Sequence, residues 1–275
     1  MKTRRPVIIA AALLLSTLNA YLSTAFAQGS LTPPGAPAPT MKSLDQVEPR
    51  TAITNLPIII TQGGSYYLTA SFIQTFNSDA ISIYTNNVTL DLCGFTLQQT
   101  GAATATGIRI ENNAVAPLKD VVVKNGFIVG FTPSSGITCL GTQNCIFENL
   151  VITECGGGFS FQAFGSAGAV GNIVRHCRTC NNASSGVLFL SGAGNIQNVI
   201  EDCDSLNNTT GFSLAAAGNL IIHCRASGNS GNNYTIATGN REGTITLPAT
   251  NPSPINGSSG GAGSGNTDPF GNLSY

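Results

Sequence analysis

Apolar residues alternate with small or polar ones in short segments that recur along the middle of the chain. One segment type reads Gly-apolar-x-apolar: Gly107-Ile108-Arg109-Ile110, Gly136-Ile137-Thr138-Cys139, Gly158-Phe159-Ser160-Phe161, Gly186-Val187-Leu188-Phe189 and Gly211-Phe212-Ser213-Leu214. Asn233-Tyr234-Thr235-Ile236 continues the series with Asn in place of Gly, and Ile81-Ser82-Ile83 opens it. The glycines lie 29, 22, 28 and 25 residues apart. A period of two is strand period, with one face turned inward. Half a repeat later comes a second segment type, as in Asn87-Val88-Thr89-Leu90-Asp91-Leu92, Asp120-Val121-Val122-Val123, Asn172-Ile173-Val174, Asn198-Val199-Ile200 and Asn219-Leu220-Ile221-Ile222. No stretch within the repeats has helical period, which argues against a horseshoe of strands and helices.

Each repeat is thus two or three short strands joined by tight turns. A unit of this length cannot bury its own apolar face, but stacked units bury a continuous core. The pattern predicts an all-β solenoid over residues 55–240. At about 25 residues per coil this gives about seven coils, and strands ~4.8 Å apart make a stack ~30–35 Å long. Asn pairs recur at Asn86-Asn87, Asn112-Asn113, Asn181-Asn182, Asn207-Asn208 and Asn232-Asn233. They mark turns, because Asn tolerates left-handed backbone angles.

The two ends read differently. Lys2, Arg4 and Arg5 precede an apolar run from Val7 to Leu15 that is too short to span a bilayer. With Ala25-Phe26-Ala27 this reads as a signal peptide over 1–27, cleaved after Ala27, and hence as export to the periplasm, cell surface or medium. Residues 28–54 read as a Pro-rich linker and N-terminal cap, with Ser43 as the N-cap of a short helix. Residues 241–275 read as a Gly/Ser/Asn-rich tail in which Phe270, Leu273 and Tyr275 return apolar character and are placed to cover the far end. No segment of the mature chain reads as transmembrane.

Charged residues make up only 9% of the chain and the net charge is −1, which argues against nucleic acid and anionic membranes as partners. A hydrophobic content of 42% opposes disorder.

Cys177, Cys203 and Cys224 fall at one position of the repeat, in His176-Cys177-Arg178, Asp202-Cys203-Asp204 and His223-Cys224-Arg225. Asn149 aligns with them one coil earlier, with Asn125 or Cys93 before it. Three readings stand: a column of buried free thiols, disulfides within Cys177/Cys180 or Cys139/Cys145, and a metal site at His176, Cys177, Cys180 and His223. Bridges along the column are disfavoured, since strand spacing exceeds the usual Cβ separation in a disulfide.

The same alignment gives two charged columns, Glu148, His176, Asp202, His223 and Arg178, Asp204, Arg225. Alternating signs on adjacent strands make cross-coil ion-pair ladders, each exposed pair worth ~1 kcal/mol or less. As chemistry, Asp202, Asp204, His176, Arg178 and Arg225 are the candidate acids, bases and anion clamp of one patch. Serine-hydrolase and phosphate-loop signatures are absent.

Tyr84 to Leu97 (YTNNVTLDLCGFTL), Ile60 to Leu68 (ITQGGSYYL) and Asn198 to Asn208 (NVIEDCDSLNN) resemble the coils of right-handed parallel β-helix repeat proteins, of the broad pectate-lyase-like superfamily. The resemblance spans roughly residues 55–240 and implies a single-stranded right-handed parallel β-helix. It implies no single activity, because that superfamily holds lyases, hydrolases, epimerases, phage tailspikes and adhesins. None of its catalytic motifs can be carried onto this chain. Two functions follow as expectations. One is an exported non-catalytic protein presenting a rigid surface to carbohydrate, or to a cell-surface or matrix component. The other is a polysaccharide lyase or glycoside hydrolase working through the patch around Asp202 and Asp204. No cofactor is expected, and calcium only in the lyase case.

Overall fold

Each alternating segment becomes one rung of a parallel stack. The computed structural model describes residues 49–101, 104–111, 116–192, 194–247, 255–259 and 268–275. The stretches read from sequence as a signal peptide, as a linker over 28–42 and as a short helix at Ser43 lie outside the described residues. The Gly-apolar-x-apolar segments form a nine-stranded parallel sheet, from Ile58–Ile60 through Ile108–Glu111, Gly157–Gln162 and Thr210–Leu214 to Ile255–Gly257. Each strand pairs with those of the coils before and after it. The second segment type supplies a sixteen-stranded sheet, to which most coils give two strands separated by a corner. The architecture is an all-β parallel solenoid of about eight turns.

The count of seven expected from sequence stopped at residue 240. Ile255–Gly257 pairs with Tyr234–Ile236 and adds a rung, although its surroundings read as a tail. At the other end Thr51–Ile53 already pairs with Gly64–Leu68. The last strand, Asn272–Ser274, lies between Arg225–Ser227 and Ile245–Thr246. The end of the chain is thus inserted between two strands that precede it in sequence. Among the described residues no helix is long and apolar enough to cross a membrane.

Inward side chains stack coil upon coil. Phe159, Phe161, Phe189, Phe212 and Tyr234 are fully buried, with ring centroids 4.6 Å apart for Phe161–Phe189 and 5.4 Å for Phe212–Tyr234. The glycine that opens each segment has a steric cause. A Cβ at Gly158 would lie 2.1 Å from the carbonyl oxygen of Gly186, and one at Gly211 would lie 2.4 Å from that of Asn233.

The corners use left-handed residues. Cys93, Asn125, Asn149, His176, Asp202 and His223 all have φ between 51° and 59° at successive coils. One member of each of three Asn pairs, Asn87, Asn181 and Asn207, is left-handed too. Other asparagines face inward at the turns. There Asn172, Asn198, Asn219 and Asn240 form one ladder, and Asn182, Asn208 and Asn229 another. Each side-chain oxygen accepts the backbone N–H of the coil before it, for example Asn172 N–H to Asn198 Oδ1 at 2.9 Å. Backbone groups that the turn withholds from the sheets are satisfied in this way.

Candidate functional site

The corner between the two halves of the sixteen-stranded sheet positions the patch. His176, Asp202 and His223 occupy its left-handed position, and each precedes an inward cysteine. Alternation then returns Arg178, Asp204 and Arg225 to the outer face, where they stand in register on adjacent strands. Arg225 grips Asp204 with two bonds, Nε to Oδ1 at 2.8 Å and Nη2 to Oδ2 at 2.5 Å. The Asp204 carboxylate raises the Arg225 guanidinium above its ordinary pKa. Asp202 lies between two imidazoles, 3.7 Å from His176 Nε2 and 3.6 Å from His223 Nδ1. These distances exceed hydrogen-bond length. Arg178 is exposed in the same column, and no ion pair joins it to Asp204.

One alignment made from sequence requires correction. Glu148 does not precede His176 in its column. Its register partner is Arg175, which donates to Glu148 Oε2 at 2.9 and 2.7 Å. Asn149 shares the left-handed corner with His176, and Leu150, not Asn149, continues the inward column of cysteines. The coil holding Leu150 has no cysteine at that inward position to fix its register, and the sequence alignment slipped by one residue there.

The correction exposes a ladder that sequence reading missed. Asp91, Lys124, Glu148, Arg175 and Glu201 are successive rungs of one outward column. Alternation within each strand was the available signal, but it needed the register to be read. A further cluster lies on the nine-stranded sheet, where Arg109 Nη2 is 2.9 Å from Glu111 Oε2 and Nε is 3.8 Å from Asp79 Oδ2.

All eight cysteines are free thiols. Cys177, Cys203 and Cys224 are buried, and each donates to the carbonyl two residues before it, at 3.1–3.2 Å. Burial pushes the Cys177 and Cys224 thiols well up and those of Cys145 and Cys155 up to about 12. Those four stay protonated at neutral pH and are poor nucleophiles. His176 and Cys177 point to opposite sides of the wall, so the four residues weighed as a metal site do not converge. Among the described residues no group of three or more His, Cys, Asp or Glu side chains is placed to hold a metal ion.

The C-terminal segment borders the patch. His223 Nε2 lies 2.7 Å from the Pro269 carbonyl oxygen, and its ring stacks on Phe270 at 5.8 Å. The Arg225 guanidinium sits 6.0 Å from the Tyr275 ring centroid. Asp268 accepts the backbone N–H groups of Thr244 and Phe270, which hold its carboxyl below the ordinary value. A carboxylate with a depressed folded-state pKa stabilises the fold above its unfolded value of about 3.9, and this is lost as pH falls through the folded value. Amide hydrogen exchange in Asn272–Ser274 is therefore expected to speed up below about pH 4 relative to the rest of the solenoid. The Asp268→Asn variant should lack that step, and an identical pH profile in the variant would refute the assignment.

Fold and surface together define a parallel β-solenoid with ion-pair ladders along its outer wall. No protein-family model and no curated protein matches the chain. Among solved structures the chain is similar to the Dettilon tailspike protein (gp208), with a TM-score of 0.41 and 13% identity over 78% of this chain and 52% of the tailspike chain. The chain thus spans about half the length of that tailspike.

Proposed function

We propose that this is an exported, non-catalytic β-solenoid of the pectate-lyase-like superfamily, cleaved near Ala27, that presents a rigid wall to carbohydrate or to a cell-surface or matrix component. The observation that carries the reading is the engagement of Asp204, whose two carboxylate oxygens are both held by Arg225. Glycoside hydrolysis needs one carboxyl that gives a proton and another free to take one or to attack. Asp204 is committed to a guanidinium, and Asp202 faces two imidazoles from a side chain that is 48% exposed. The pairing of opposite signs across coils explains the patch as surface structure, with each pair worth about 1 kcal/mol or less. Rigid solenoids suit extended ligands, because every coil repeats its outward positions at one strand spacing.

The test is incubation of purified mature protein with a panel of acidic and neutral polysaccharides, with and without calcium, following chain cleavage and binding together. Binding without cleavage is expected, and Asp204→Ala should keep the fold. Cleavage by the wild type that Asp202→Ala or Asp204→Ala abolishes would overturn the proposal and make the chain a lyase or hydrolase. Neither binding nor cleavage would remove carbohydrate as the partner.

A further inference from the structure

The outer face of the sixteen-stranded sheet, on the half built from Gly64–Leu68, Val88–Asp91, the start of Val121–Val129, the start of Ile146–Thr153, Ile173–Arg175, Val199–Glu201, Leu220–Ile222 and Arg241–Glu242, carries two adjacent columns of side chains. The first is apolar: Val122, Ile146, Ile173, Val199 and Leu220 follow one another in register, each pointing outward and only half-buried. None of the five belongs to the core cluster or packs against it. Five consecutive branched aliphatics on an outer wall form a stripe ~19 Å long at one strand spacing per rung. Contiguous apolar patches of this kind mark interaction surfaces. The second column, two residues further along each strand, is Asp91, Lys124, Glu148, Arg175 and Glu201, the last four on the rungs of Val122, Ile146, Ile173 and Val199.

Over the four central rungs both columns are symmetric. Read along the stack, the first four of the five aliphatics, which occupy the four central rungs, run Val, Ile, Ile, Val, the same in either direction. On those same four rungs the charges run plus, minus, plus, minus, and reversing that order inverts every sign, while Asp91 adds a fifth charge one rung before them. The midpoint of both lies between the Ile146 and Ile173 rungs, with four of the eight strands on each side.

We propose that this face is a two-fold interface with a second copy of the chain, packed antiparallel about an axis that runs along the strands between those two rungs. Such an axis places Ile146 on Ile173 of the second copy and Val122 on its Val199. It also places Lys124 opposite Glu201 and Glu148 opposite Arg175, each contact occurring twice. An isologous interface must be self-complementary, and the four central charges meet that condition only when antiparallel, with Asp91 then facing Ile222 of the second copy. The neighbouring left-handed column fits as well. Asn144 faces Gly171 of the second copy, and Asp120 faces its Gln197, so side chains meet gaps or hydrogen-bonding partners. A heterologous partner would not call for the palindrome.

Sedimentation velocity of the mature protein tests this. The wild type is expected to dimerise. Lys124→Glu and Glu201→Lys should each weaken the dimer at least about tenfold, because each sets two like-charge pairs against each other. Mixed in equal amounts, the two variants should dimerise with each other about as tightly as the wild type, since every charge then regains its complement. Ile173→Lys changes an outward position at the centre, so it should leave circular dichroism unchanged and abolish the dimer. A wild type that stays monomeric at about 100 μM, far above the affinity range of specific interfaces, overturns the proposal. So do single variants that dimerise like the wild type, a mixture no tighter than either variant alone, or a folded Ile173→Lys that still dimerises.

Discussion

Replacing Gly158 by alanine is expected to destabilise the solenoid by about 3 kcal/mol or more, at the upper end of what overpacking costs. The added methyl would lie 2.1 Å from the Gly186 carbonyl oxygen and 2.7 Å from Thr179 Cγ2. The first of these is backbone on the adjacent rung, held at strand spacing by the sheet, so it cannot rotate away as a side chain could. Relief would require the two coils to part locally and lose ladder hydrogen bonds. Gly136 meets Ile152 Cγ2 at 2.3 Å, so alanine there presses on a side chain and should cost less. Gly192 provides the control, because its Cβ would meet Ala163 Cβ at 3.8 Å, ordinary contact. Gly192→Ala should change stability by less than about 0.5 kcal/mol, as at most permissive surface positions. Urea unfolding followed by circular dichroism gives the comparison. A Gly158→Ala midpoint close to that of Gly192→Ala would mean that coil spacing is compliant and that the glycine is not required by close approach.

That glycine shows why the fold was legible. Gly-apolar-x-apolar repeats because every coil brings the same backbone atom against the same inward position, and a steric rule obeyed on each turn writes itself into the chain at fixed intervals. The triplets around Cys177, Cys203 and Cys224 gave the register of the Arg178, Asp204, Arg225 column for the same reason, since three coils carry the same residue at one inward site. Where that marker was missing, at Leu150, the alignment slipped and the Glu148–Arg175 pair was hidden. The strand at Asn272–Ser274 had no pattern to read. Three residues after a Gly/Ser-rich stretch carry too little alternation, and their place between two earlier strands is a tertiary fact. The asparagines were half legible. Composition marked turns, but an Asn that takes up left-handed backbone and an Asn that bonds the coil above it are the same letter. Only the inward position of Asn198 and Asn219 separates them from Asn181 and Asn207.

The inward asparagines carry the second large effect. Asn198 is wholly buried; its Oδ1 accepts the backbone N–H of Asn172 at 2.9 Å and the Asn172 Nδ2 at 2.9 Å. Its own Nδ2 donates to the Ala169 carbonyl at 2.8 Å and to Asn219 Oδ1 at 2.9 Å. Asn198→Ala leaves the buried Asn172 N–H without its acceptor and removes three further bonds, although the Ala169 carbonyl keeps the Ile196 N–H. With the unsatisfied group costing ~1–3 kcal/mol and each other lost bond ~0.5–1.5 kcal/mol, the loss should be about 3–5 kcal/mol. For a chain of this size that lowers Tm by roughly 10 °C. Asn198→Asp separates hydrogen bonding from shape. A carboxylate keeps the volume and can still accept from Asn172, but it would face the Ala169 carbonyl and Asn219 Oδ1 with acceptors on both sides and a buried charge. At neutral pH it should therefore be less stable than the alanine variant, despite being the closer isostere. Position along the ladder predicts a gradient. Asn240 ends the run and is only half-buried; it accepts from Asn219 and donates to the Leu214 and Ala237 carbonyls, all nearer to water. Asn240→Ala should cost about 1–2 kcal/mol, the range for groups that water can partly rescue. Equal losses at Asn198 and Asn240 would show that depth in the stack does not set the cost. An aspartate milder than alanine would show that filling the turn matters more than bonding it. The expected order makes the ladder a cooperative element, in which each amide orients the next and the central members are the ones the solenoid cannot lose.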